Sequence, residues 1–287
     1  ADKMTIFRIV LVGVFTCTGI YLFASAPQPL PDKTALFTSK RSVNVGNMFN
    51  AVNAVNHAAR AIYTERIVGV GLKLGLKFGE DWAEPEVEKG PLPALFLRLV
   101  ASRMERKSTR LGLYLGSDEP INKSNLFDAA QSVSFEMMKN TKQAVVMPVD
   151  VVGYVGMYPD VASSAPCVTC HNDHPDSPKT DWELNYIMGA TTWTYPAEKL
   201  GADAYLNATE DLFQSIEEAY GMYIDKVAIF NPNIEIGVRW PDSDNLTLPD
   251  RKTFMAAVRK QASTIIVEEL ILINPLDPSE KAKEIFK

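Results

Sequence analysis

The sequence predicts an α+β protein preceded by one N-terminal transmembrane helix, and three observations carry the prediction. An apolar run without a charged residue stands near the start. Behind it, helical and alternating apolar periodicities follow one another with no repeating βαβ order. A hydrophobic content of 46% against 22% charged residues in 287 positions then supplies enough apolar side chain for a sizeable core. The net charge of −6, with basic residues scattered rather than clustered, argues against a nucleic-acid binder.

The apolar run is Ile9–Ala26, preceded by Lys3 and Arg8. At about 1.5 Å per helical residue it approaches the roughly 30 Å core of a bilayer. Ala24, Ser25 and Ala26 resemble a signal-peptidase site, but Pro27 follows directly, and residues 1–26 are read as a retained anchor. Cys17 within it reads as a lipid-facing or packing thiol. The preceding positive charges put the N-terminus in the cytoplasm and everything after Pro27 outside, which for a bacterial chain means an inner-membrane anchor and a periplasmic body. Residues 27–41, opening on Pro27, Pro29 and Pro31, form a stiff linker.

From Ser42 to about Ile67, Val45, Met48, Phe49, Val52, Val55, Ala59 and Ile62 recur at helical spacing. His57 shares a side of this helix with Asn50, Ala54 and Ala61, small residues that would admit a flat ring. Gly69, Gly71, Gly75 and Gly79 then predict a loop or broken helix; the ending of a phosphate loop is missing, and Lys73 and Lys77 read as solvated. Further helices are expected over Pro93–Lys107, Asn125–Asn140, Asp203–Asp225 and Asp250–Ile273. Strands are expected over Leu111–Leu115, Ala144–Tyr158 (a bent pair) and Ala190–Tyr195, with a hairpin over Val227–Trp240 about Asn231, Pro232 and Asn233.

The element that carries chemistry is Cys167-Val168-Thr169-Cys170-His171. This is the attachment pattern of a c-type haem: two thiols add to the vinyl groups, and the next imidazole turns toward the iron. A structural zinc would want a second pair of ligands, and only His174 is near. A thioredoxin-like dithiol would want a strand-to-helix junction, whereas Pro166 and the polar run after His171 predict a loop. With three cysteines in the chain, no disulfide framework is expected.

Candidates for the sixth iron position are His57, His174, one of Met137, Met147, Met157 and Met188, or nothing. His57 is favoured as the second iron ligand because it lies far off in sequence on a helix side lined by small residues. His174, three residues from the proximal ligand, is assigned a contact in the haem pocket. Trp82, Trp182, Trp193 and Tyr195 are candidates for its walls, although such residues usually belong to a core. Asp242, Asp244 and Asn245 make an acidic turn lacking the spacing of a calcium loop. No nucleophile elbow or His-Glu-x-x-His is present, so no enzyme is predicted.

The order of motifs extends beyond the haem site: Ala61–Thr64, Gly90–Phe96, Ser117–Asn122, Cys167–His171 and Gly189–Trp193. Over roughly Ser42 to Pro196 the chain resembles the DUF3365 family, the Tll0287-like c-type haem domains. The resemblance implies a PAS-like domain over 42–196, with a long helix across a central antiparallel sheet and one covalent haem c held by an attachment loop. It carries over to Cys167, Cys170 and His171 and leaves the distal ligand open. Residues 197–287 follow as a helical extension packed on the domain or on a partner, without a recognisable signalling output. Two functions are expected: a membrane-anchored periplasmic monohaem cytochrome, carrying electrons or serving as accessory subunit of a membrane redox complex, or a haem-based redox or gas sensor acting through a separate signalling partner.

Overall fold

The computed structural model describes residues 42–273 apart from 244, together with Asp2 and Met4. The expected anchor, linker and Cys17 lie outside the described residues. Among the described residues no helix is long and apolar enough to cross a membrane.

A short strand β1 (Ser42–Asn44) leads into helix α1 (Val45–Ile62). The helix starts at Val45 rather than Ser42 because Asn44 caps it, its side chain accepting from the Gly46 amide at 2.8 Å. Past Ile62 the helix widens into a π-helical segment (Tyr63–Gly69) and returns as α2 (Val70–Lys73). Gly69 and Gly71 therefore lie within the helical run, and the chain turns away at Gly75, whose φ is +94°. A helical glycine costs only about 1 kcal/mol, less than the burial of Tyr63, Ile67 and Val68 returns.

Strand β2 (Phe78–Gly79), a 3₁₀ turn (Glu80–Ala83) and β3 (Gly90–Pro91) precede α3 (Pro93–Met104). Then come β4 (Gly112–Gly116), α4 (Ala129–Thr141), β5 (Val145–Val149), β6 (Gly153–Val161), α5 (Ala165–Asp173) and β7 (Ile187–Tyr195). Helix α4 begins later than expected because Asp128 and Gln131 close a capping box there.

The fold is α+β. Its largest sheet has four antiparallel strands in the order β4-β7-β6-β5. Strand alternation divides β6 cleanly. Gly156, Tyr158 and Asp160 meet α1: a Cβ at Gly156 would lie 2.6 Å from Phe49, and Tyr158 donates to Asn50 Oδ1 at 2.5 Å. Met157 points the other way, into a small cluster with Phe127, Phe135 and Met138 under α4.

Strand β8 (Lys199–Gly201) pairs with β1, and α6 (Ala202–Val227), β9 (Glu235–Gly237), β10 (Thr247–Pro249) and α7 (Arg251–Ile273) complete the described chain. The hairpin expected over Val227–Trp240 does not form. Helix α6 occupies its first residue, and β9 pairs in parallel with β10. The Asn-Pro-Asn signal marks a real turn, but a turn does not choose the strand's partner, and here Glu88 holds the Asn231 amide at 2.9 Å. Helices α6 and α7 close the main core against α1 and α3, with Tyr220 stacked on Phe254 at 3.9 Å and Tyr63 on Phe96 at 4.3 Å.

Candidate haem-attachment site

The Cys-x-x-Cys-His element lies on α5, not in a loop. Ser164 enters the helix in an extended conformation and Pro166 falls in the first turn, where its missing N–H costs nothing. Asn172 and Asp173, read as loop residues, form the last turn, and the chain leaves at His174. The helix puts Cys167 and Cys170 three residues apart, on neighbouring positions of one face. Both thiols are free of a disulfide. Cys167 is half-buried against Ala162, Trp182 and Met188, with Ser164 Oγ 3.2 Å from its sulfur. Cys170 is exposed at the surface. Partial burial, then Cys167, Glu80 and Asp173, push its thiol up, keeping it protonated.

His171 follows on the next position, half-buried. Burial lowers its basicity more than any other influence; Asp160 opposes this, while His174 and Arg60 add to it. The imidazole is therefore neutral at pH 7, with a lone pair free to bind a metal. Its Nδ1 is buried and meets no hydrogen-bond partner among the described residues. Trp182 stands beside it, and Asn172 fixes Trp182 at both backbone groups: its Oδ1 accepts from the Trp182 amide at 2.8 Å and its Nδ2 donates to the Trp182 carbonyl at 3.0 Å.

His57 lies on α1, exposed among buried neighbours. Desolvation, then Arg60, lower its basicity, against Asp160 and Glu65. Arg60, one turn on, forms an ion pair with Asp160 near the end of β6, and β6 runs through Ala162 into α5. The charges of Arg60 and Asp160 thus act on both His57 and His171. Of the expected small neighbours of His57, Ala54 is buried and Asn50 is engaged by Tyr158. Ala61 lines a groove of about 400 Å³ that runs from His57 between α1 and α7.

His174 caps the turn after α5, its Nδ1 accepting from the Asp176 amide at 3.1 Å, while its Nε2 lies 3.8 Å from Glu80. Of the four methionines, Met188 alone shares the apolar cluster of Cys167 and Val168. Met157 is buried under α4, Met147 lies 3.4 Å from Ser134 of α4, and Met137 is exposed on that helix. Trp182 adjoins the motif. Trp193 is a core residue whose Nε1 donates to Asn53 at 3.2 Å, and Trp82 is buried in the 3₁₀ turn. Arg60, Asp160 and Asn172 had no sequence signal, since each acquires its role only from a tertiary partner.

No three of the His, Cys, Asp and Glu side chains among the described residues gather as ligands of a bare ion. Two separate thiols on one helix face, with a neutral imidazole at the next position whose buried Nδ1 is unpaired, fit instead a group that brings its own metal and is bound through sulfur. The model of the Tll0287-like family matches residues 36–196, more than half of the chain. The chain belongs to the Tll0287-like family. No characterised protein and no solved structure is similar enough to match it. The Tll0287-like region takes in β1 to β7, hence His57, the Arg60–Asp160 pair and the whole of α5, and ends shortly before α6 begins.

Proposed function

We propose that this Tll0287-like chain is a membrane-anchored, periplasmic monohaem c-type cytochrome that carries electrons, as a freestanding carrier or as accessory subunit of a larger membrane redox complex. Cys167 and Cys170 would hold one haem c through thioether bonds, His171 would bind its iron, and His57 would be the second iron ligand. The haem supplies a one-electron couple. The residues anchor it, orient it and limit its contact with water.

The observation that carries the reading is the motif on one helix, with a neutral, half-buried His171 and with His57 under the same pair of charges. The helix α1 lying across a four-stranded antiparallel sheet supports reading the domain as PAS-like. The apolar run Ile9–Ala26 and the proline-rich spacer support the anchor and the inner-membrane location.

One observation favours a second reading, a haem-based redox or gas sensor working through a separate signalling partner. His57 makes no hydrogen bond among the described residues that would hold its ring to the iron, and an unsupported ligand is readily displaced. The deciding experiment is the visible spectrum of the native purified full chain, oxidised and reduced, with and without carbon monoxide, and acid-acetone extraction of a separate sample tests covalent attachment. A covalently retained, low-spin haem that ignores carbon monoxide supports the carrier. Ready carbon monoxide binding supports the sensor, and a preparation without haem overturns both.

A further inference from the structure

Arg60 and Asp160 are a hundred positions apart, yet they form an ion pair that ties α1 to the end of β6. Arg60 Nη2 also faces the Val161 carbonyl at 3.4 Å. The arginine side chain is only 20% exposed and the aspartate 27%, so water screens both charges weakly. On one side, Arg60 stands a single helical turn from His57. On the other, Asp160 is two residues from Ala162, which packs with Cys167 and Trp182 beside His171. No other opposite-charge pair among the described residues reaches both imidazoles: Glu65 acts on His57 alone, and His174 acts on His171 alone.

We propose that Arg60 and Asp160 are positioning residues that set the reduction potential of the haem site, Asp160 favouring the oxidised state and Arg60 the reduced one. The inference rests on the haem attachment proposed above. Reduction adds one negative charge to the site, so a fixed carboxylate nearby opposes it and a fixed guanidinium assists it. The pair is nearly neutral as a whole, but Arg60 acts more strongly than Asp160 on His57 and Asp160 more strongly than Arg60 on His171, so the two charges cancel at neither imidazole. The pair also fixes the spacing between α1 and the strand that leads into α5.

The test is a potentiometric titration of the full chain, followed by visible absorption, for the wild type, Asp160→Asn, Arg60→Gln and the double variant, each first checked for covalent haem by in-gel staining. Asp160→Asn raises the midpoint potential, Arg60→Gln lowers it, and the double variant returns toward the wild-type value. Mere loosening of the fold would move both single variants the same way, and that result, or no shift in either, overturns the proposal. Arg60→Lys and Asp160→Glu keep the charges while changing the reach, and hold the wild-type potential; shifts as large as those of the neutral variants overturn it as well. Haem missing from the wild type defeats the attachment reading itself, whereas haem retained in every variant with unmoved potentials defeats only the role of the pair.

Discussion

The Trp182 ring stands edge-on to His171, the centroids 6.3 Å apart and the planes at 85°. The segment bearing Trp182 has no regular structure, and the two hydrogen bonds from Asn172 hold it there. The helix that presents the histidine thus also fixes the histidine's aromatic neighbour.

Asn172→Ala removes both of those bonds. At about 0.5–1.5 kcal/mol each, the loss comes to roughly 1–3 kcal/mol, read by urea denaturation of the purified chain. The Soret band should shift with it, because Trp182 is released from the face of His171. An unchanged denaturation midpoint would show that Trp182 is held by packing alone.

His57→Ala leaves the thioether attachment intact, since both sulfurs and His171 are on another element. The low-spin spectrum of the oxidised protein should give way to a high-spin one, and carbon monoxide should bind on reduction. A low-spin spectrum identical to that of the wild type would remove His57 from the iron and direct attention to Met188, which shares the cluster of Cys167.

Three buried tyrosines separate a satisfied hydroxyl from an unsatisfied one. Tyr63 donates to the Pro91 carbonyl and Tyr220 to the Pro249 carbonyl, each at 2.7 Å, whereas the buried Tyr223 hydroxyl has no partner among the described residues. Removing a hydroxyl that is bonded costs about 1 kcal/mol, and removing one that is unbonded relieves a desolvation penalty. Tyr220→Phe should therefore lower the thermal midpoint, and Tyr223→Phe should leave it unchanged or raise it. A loss of stability in the second variant equal to that in the first would contradict the difference in their bonding.

Asp250 caps α7, accepting from the Thr253 amide at 2.7 Å, and this bond, with one from the Thr253 hydroxyl, holds its carboxyl below the usual range. A carboxyl depressed in the folded state stabilises the protein above its unfolded pKa, about 3.9, and loses that contribution as the pH falls through the folded value. Asp250→Ala should cost about 1 kcal/mol at pH 7. Asp250→Asn keeps an acceptor but not the charge, so it should lessen the fall in stability between pH 5 and about pH 2. Parallel stability curves for the Asp250→Asn variant and the wild type would exclude the cap as a source of acid sensitivity.

Much of the site was legible because its chemistry is local. Two thiols and an imidazole within five residues form the attachment pattern of a c-type haem whatever the fold, and the proposal for His57 began from its small helix neighbours alone. Arg60 could not be recognised, because on a helix an arginine reads as solvated until a strand a hundred residues away supplies Asp160. The misreading of α5 as a loop has a similar origin. Pro166 and Asn172 are loop residues by habit, but one lies where a helix needs no amide bond, and the other serves Trp182. Strong periodicity located α1, α3, α6 and α7 to within a few residues, whereas the partner of β9 depended on contacts that no local pattern encodes.

The closing of the core by α6 and α7 has a practical side. A fragment cut after Pro196 would keep every residue of the family match, yet Phe96 would lose the edge contact of Phe254, and Tyr63 that of Tyr223. The inner flank of α1 and of the π-helical segment after it, from Val52 to Ile67, would then lose the cover that α6 and α7 give it. Anyone dissecting this molecule for spectroscopy should therefore treat residues 42–273 as indivisible, since the shorter piece exposes an adhesive apolar flank that the longer one covers.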